Sequence, residues 1–405
     1  MAAETTQALE YDPYSYEIDA DPYPVYRHLI EERPLYYNER LDFYAVTRFD
    51  DCLQAFIEWE TYSSARTTVL EMMDGEAGGG PLMIFMDPPR QTRLRNLVNK
   101  AFTLRRIGEL EPAIRKIATD YLDAIVGRGD GRCDIVREFT AKLPMDVIST
   151  LLGIPESDRD DVRGWSNDVL HRDPGNPGMT ERGMRAGAKL SEYFVRALDE
   201  RRRAPRDDIM TLLTQAEIED EDGRHRLTDV EIRAFFTLLA TAGNETVTKL
   251  LGTAYYWLAE NPDQRKRLVD DPSLCRNAVE ETLRYDPPSQ YQGRTLTRET
   301  EIAGGRVPKD AKLLILNGAS GRDPRKFDDP DRFDVGRDID LHLGFGYGRH
   351  FCLGASLARL ESRIALEELL ARIPEYGVDA SGIERMHSSN VRGFAGLPLE
   401  YPAPA

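Results

Sequence analysis

Gly344-Phe345-Gly346-Tyr347-Gly348-Arg349-His350-Phe351-Cys352-Leu353-Gly354 sets four glycines around one thiol within eleven residues. A helical pattern begins directly behind it, Ala355-Ser356-Leu357-Ala358-Arg359-Leu360-Glu361. Glycine lets a backbone turn tightly and approach another object closely. A thiol at a helix start feels the positive end of the macrodipole, which favours thiolate. The stretch predicts an exposed, thiolate-prone sulfur with something flat or bulky pressed against its loop.

The glycines read G-x-G-x-G and no Gly-Lys-Ser/Thr follows, so neither phosphate-cradling fingerprint is met. Cys52, Cys133, Cys275 and Cys352 lie far apart without a C-x-x-C, which argues against structural zinc. Three readings stay open on the residues alone. Cys352 is a nucleophile with His350 as its base, an inert buried thiol, or the carrier of a metal cofactor. Inert burial is the usual fate of a free thiol, and the glycine density argues against it here.

Phe345 to Gly354 matches F-x-x-G-x-x-x-C-x-G without departure and so resembles the haem-binding signature of the cytochrome P-450 family. The resemblance implies haem b, O2 as co-substrate, Cys352 as the axial iron ligand, and Phe345 and Gly346 beside the cofactor. A thiolate ligand pushes electron density onto iron and favours O–O cleavage.

The 405 residues, 41% apolar and 30% charged, carry enough material for one large globular domain spanning 1–405. The acidic start Met1 to Glu10 lacks a basic and an apolar region, so no signal peptide is expected. No apolar run approaches the ~20 residues of a membrane span. Scattered cysteines suit a reducing cytoplasm, and a net charge of −17 disfavours nucleic acid. Arg201-Arg202-Arg203 reads as a solvated helix end.

Apolar residues recur mostly at helical spacing, as from Ile107 to Ile125, Leu190 to Leu198 and Leu357 to Leu370. Phe43 to Val46 and Lys312 to Leu316 read as strands. Gly75 to Gly80 and Asp173 to Gly178 read as loops. The expected fold class is mainly α with small β-sheets, undivided by any linker. This pattern resembles the cytochrome P-450 fold over essentially the whole chain.

Thr228-Asp229-Val230-Glu231 has the form of a capping box and opens an apolar helix lasting to Glu260, before Asn261-Pro262. Roughly 30 residues give about 45 Å, enough to cross a domain. In its middle, Ala242-Gly243-Asn244-Glu245-Thr246 inserts glycine, acid and hydroxyl into an apolar run, which predicts a local opening beside a ligand. The segment resembles the family's A/G-G-x-D/E-T motif over the haem. That resemblance implies that Thr246 holds the bound oxygen and Glu245 relays protons.

Glu281-Thr282-Leu283-Arg284 resembles the family's E-x-x-R motif, a structural ion pair. Asp87-Pro88-Pro89 opens a helix carrying Gln91 and Arg95 where the family often has H-x-x-x-R. Arg95, Arg294 and His350 match positions at the haem propionates, and Gln91 replaces the histidine with a neutral hydrogen-bonding group.

The implied activity is a haem-thiolate monooxygenase inserting one oxygen atom into a small apolar substrate, most simply by hydroxylation. No flavin or iron–sulfur segment is evident. By resemblance, electrons come from a ferredoxin or flavodoxin fed by an NAD(P)H-dependent reductase, with Lys100, Arg105, Arg106 and Arg349 as its docking cations. A monomer is expected. The substrate pocket is expected to draw on the 67–86 loop, a lid at 165–190, Phe235, Phe236, Leu239, Ala242, Gly243, Ser289, Gln290, Tyr291 and Phe394. A haem carrier without turnover would not need Glu245 and Thr246, and a cysteine nucleophile would be colourless.

Overall fold

The computed structural model describes residues 10–74, 82–100, 102–171, 173, 180–220, 223–388 and 390–403. The expected glycine-rich loop at 75–80, and all but Asp173 of the expected break at 173–178, lie outside them. Helices dominate, with small sheets beside them.

Asp229–Glu260 forms one unbroken helix of 32 residues. Its start is fixed locally. Thr228 Oγ1 accepts from the Glu231 amide, while the Glu231 carboxylate accepts from the Thr228 amide at 3.0 Å. Two otherwise orphaned donors at this end are thereby satisfied. The apolar faces of this helix pack against Leu143–Leu152, Glu181–Arg203 and Ala355–Arg372. The cysteine loop therefore leads into a helix lodged against the centre of the molecule.

The larger sheet has the order Leu35–Asn38, Phe43–Val46, Lys312–Ile315, Gln292–Leu296, Tyr62–Ser63. Leu314 pairs with Ala45 in parallel and Leu313 with Arg294 in antiparallel register. Arg294 is thus held by strands on both sides rather than by a loop.

Two expectations change. The helical pattern from Ile107 to Ile125 divides into Leu104–Glu109 and Glu111–Val126. Pro112 lacks an N–H and its ring would collide with the carbonyl four residues back, so a new helix must begin there. Arg201 is not a solvated helix end: its side chain is 2% exposed, with Nε 2.5 Å from Asp208 Oδ2 and Nη2 donating to the Gly153 carbonyl at 2.7 Å.

Candidate active site

The cysteine loop is built on two left-handed glycines, Gly346 at φ +66° and Gly348 at φ +67°. At Gly348 a Cβ would also lie 2.8 Å from the Phe56 carbonyl oxygen. The turn closes when the Cys352 amide donates to the Phe345 carbonyl at 3.0 Å. The helix Ala355–Arg372 begins three residues later.

Cys352 is half-buried, against the expectation of an exposed sulfur. Burial pushes its thiol up, opposed by the backbone amides of Gly354 and Ala355 and by the charges of Arg95 and Arg359. Those amides belong to the first turn behind the loop, as the dipole argument requires. Arg359 lies 4.7 Å over the Phe345 ring and pairs with Glu280 at 2.7 Å, which fixes this cation beside the loop.

Arg294, Arg95 and His350 gather beside the cysteine loop, and none of them forms an ion pair among the described residues. Arg294 is 3% exposed, and its guanidinium donates only to its neighbour's carbonyl, Gly293 O, at 2.7 Å. Burial pushes it down to about 10, slightly offset by Asp87, which is itself engaged by Ser63 Oγ and the Ser64 amide. Arg95 bonds Asn99 Oδ1 at 3.1 Å and is also lowered by burial. His350 is pushed down to about 3, by burial first and then by Arg294 and Arg95, and its buried Nε2 has no hydrogen-bond partner. An unspent arginine, a second cation and an orphaned ring nitrogen make a receptor for carboxylates. The two propionates of haem b fit it.

Gln91 does something other than expected. It is buried, and its Nε2 donates to the Arg349 carbonyl at 2.7 Å. It ties the Arg90–Asn99 helix to the loop backbone instead of standing ready for a propionate.

On the central helix the expected opening is absent, because the helix continues through residues 242–246. Thr246 Oγ1 donates back to the Ala242 carbonyl at 2.8 Å. Ala242 is nevertheless exposed at the midpoint of a helix that crosses the molecule, and Leu239, Gly243 and Thr246 are half-buried beside it. Gly243 exists for packing: a Cβ there would stand 2.3 Å from Ile148 Cδ1. Asn244 is buried on the opposite face. Glu245 lies 2.8 Å from Lys249 Nζ, a residue the sequence reading passed over. The available signal was a lysine inside the apolar run Val247-Thr248-Lys249-Leu250-Leu251, four residues after an acid.

Several expected pocket residues belong to the core. Phe236 is fully buried against Phe194, with ring centroids 5.4 Å apart, and Phe235 packs on Phe102 at 6.0 Å. Phe394 is fully buried against Tyr256 at 5.1 Å and lies beside Gly252, past Thr246. Gln290 donates to Pro287 O and accepts from Tyr26 OH, while Tyr291 OH accepts from the Leu70 amide. Large apolar side chains fill the faces that meet other helices. Leu239, Ala242, Gly243 and Ser289 keep partial or greater exposure.

Glu281 and Arg284 are fully buried and bidentate, at 2.7 and 2.8 Å. Glu281 also accepts from the Asp334 amide, and Arg284 donates to the Gly321 and Pro330 carbonyls. The pair locks the segment before the cysteine loop. Of the expected docking cations, Arg105 is spent on Glu109 at 3.0 Å and Arg106 on Asp207 at 3.5 Å. Lys100 reaches the Glu217 backbone carbonyl, and it and Arg349 are both exposed with no ion pair among the described residues. Among the described residues no helix is long and apolar enough to cross a membrane.

A family model described as cytochrome P-450 matches residues 173–373. The protein named cytochrome P-450 123 in Mycobacterium tuberculosis is 44% identical over 398 residues, 98% of each chain. Vitamin D(3) 25-hydroxylase of Pseudonocardia autotrophica is 37% identical over 407 residues, also 98% of each. The solved structure of cytochrome P-450 CYP109Q5 from Chondromyces apiculatus aligns with a TM-score of 0.88 at 33% identity, covering 97% of this chain and 98% of that one. With the cysteine loop, its basic receptor and the unbroken central helix in the same molecule, the chain belongs to the cytochrome P-450 family of haem-thiolate monooxygenases.

Proposed function

We propose that Cys352 would hold haem iron, that Arg95, Arg294 and His350 would receive the haem carboxylates, and that Glu245 and Thr246 deliver protons during hydroxylation of a sterol-sized apolar substrate. The observation that carries the assignment is the cluster of buried Arg294 with half-buried Arg95 and His350, none of them in an ion pair among the described residues, beside a single thiol. Bound haem supplies O2 activation and transfer of one oxygen atom, while the second leaves as water.

Everything else falls to side chains of this chain. Buried Arg294 and the half-buried Arg95 orient two carboxylates, as desolvated guanidinium groups do with planar anions. The first-turn amides of Gly354 and Ala355 favour the thiolate and so oppose the burial that pushes the Cys352 thiol up. Thr246 Oγ1 holds a proton it can pass on while accepting another, and the Glu245 carboxylate three bonds of backbone away refills it. Leu239 and Ala242, apolar and open at the middle of the central helix, supply apolar contact for the substrate. The sterol-sized substrate is supported by the name of the vitamin D(3) hydroxylase, which this chain covers end to end.

Electrons come from a separate redox protein. We take it to be a ferredoxin or flavodoxin docking at exposed Arg349 and Lys100, since Arg105 and Arg106 are paired with acids of this chain. Four free cysteines suit the reducing cytoplasm.

A carbon monoxide difference spectrum of the reduced protein tests the ligand. The parent is expected to give the thiolate-type Soret band, and C352S to lose it while keeping its helical circular dichroism. A serine variant with the parent spectrum would remove Cys352 from the iron.

A further inference from the structure

We infer that Lys249 is a positioning residue for proton delivery, holding Glu245 in place from a buried anchor on the Phe394 carbonyl. Lys249 is 4% exposed, deep in the apolar second half of the central helix. Its ammonium meets two oxygens, Glu245 Oε1 at 2.8 Å and Phe394 O at 2.7 Å. A buried ammonium without such partners would be strongly destabilising. Lysine is therefore not an incidental choice at this position.

The hairpin opposite is shaped around it. Gly393 sits at φ +155°, and a Cβ there would lie 2.6 Å from Lys249 Cβ and 2.9 Å from its Cγ and Cδ. Any side chain at 393 would displace the lysine stem, so glycine keeps the slot through which Lys249 reaches Phe394 O. The strand containing Phe394 is seated through the Arg392 amide on Pro288 O and the Ser289–Val391 bridge. The acid is consequently tied through Lys249 to a backbone carbonyl of the facing strand rather than left to swing on a flexible side chain. Glu245 keeps partial exposure, at 17%, while its lysine partner is sealed. This geometry suits a carboxylate that must exchange protons on one side and stay fixed on the other.

The proposal rests on Glu245 serving proton delivery, and the test separates the two ideas. Holoenzyme receives NADPH electrons through a heterologous ferredoxin and ferredoxin reductase, without organic substrate. Consumed O2 then divides between peroxide (O2 + 2 e− + 2 H+ → H2O2) and water (O2 + 4 e− + 4 H+ → 2 H2O), and poor proton delivery favours peroxide. E245Q is expected to raise the peroxide-to-water ratio about tenfold, at the low end of general acid–base effects. K249M is expected to do the same, and E245Q/K249M to be no worse than E245Q alone, because Lys249 acts through the acid.

Urea unfolding supplies a readout independent of turnover. The double variant's shift should not exceed the larger single shift, since it leaves no buried charge unpaired. If K249M alone does not fold, the double variant carries the comparison with E245Q. A parent ratio in K249M, or single effects that multiply in the double, overturns the role of Lys249. An unchanged ratio in E245Q overturns the reading beneath it.

Discussion

Gly348 meets two demands at once that no other residue type satisfies. Its φ of +67° is the left-handed region, and a Cβ would stand 2.8 Å from the backbone oxygen of Phe56. Gly346 carries only the first demand, because its virtual Cβ comes no closer than 3.6 Å to a neighbour. G348A should therefore lose about 2–3 kcal/mol of unfolding free energy in urea, and G346A about 1 kcal/mol. Equal losses would show that the contact with Phe56 O is irrelevant. The same loop shows how far residue identity reaches. Its glycines and Cys352 were legible because the chemistry is written within ten positions. The actual duty of Gln91 was not, because its partner is the carbonyl of Arg349 and a backbone acceptor leaves no trace in sequence.

At the scale of the element, the central helix owes its position to its first turn. The reciprocal bonds of Thr228 and Glu231 cap a helix whose interior carries glycines at 243 and 252. T228A should destabilise by about 1 kcal/mol in urea unfolding, with E231A giving a similar loss and the pair less than the sum. Capping patterns and apolar periodicity are local, so this helix could be read to both ends. Gly243 looked like an opening for a ligand and proved to be clearance for Ile148, which only the crossing of two helices explains. Similarly, the 3.6-residue pattern continued past Leu110 in sequence although Pro112 forbids one continuous helix.

At the scale of the whole molecule, Glu280 joins three distant segments. It accepts from His342 Nε2 at 2.9 Å and from Arg359 at 2.7 and 2.9 Å, while His342 Nδ1 accepts from the Gly344 amide. Burial alone would raise this carboxyl, but His342 and Arg359 hold it at about 2, down from 4.5. A folded value below the unfolded one stabilises at higher pH. The contribution is therefore complete above 4.5 and is lost as the pH falls toward about 2. By linkage it is worth up to about 3 kcal/mol at neutral pH. E280Q should be less stable by about that amount in urea at pH 7, and its stability should fall less steeply than the parent's between those two pH values. A variant whose stability curve parallels the parent's would show that Glu280 is not held down by these partners.

The helical class, the cysteine loop, the capped central helix and the Glu281–Arg284 pair were all legible in the order of the residues. Each is encoded by residue types at short fixed spacing or by a full signature. Only the packing of the folded chain settles which of its apolar residues are buried. Phe236, Tyr291 and Phe394 went to the core, while Ala242 remained open. It also decided that Arg201 is a buried pair and that Lys249 reaches a carbonyl 145 positions away. Burial and long-range hydrogen bonds are properties of which surfaces meet, and hydrophobic periodicity marks a face as apolar without saying what will cover it.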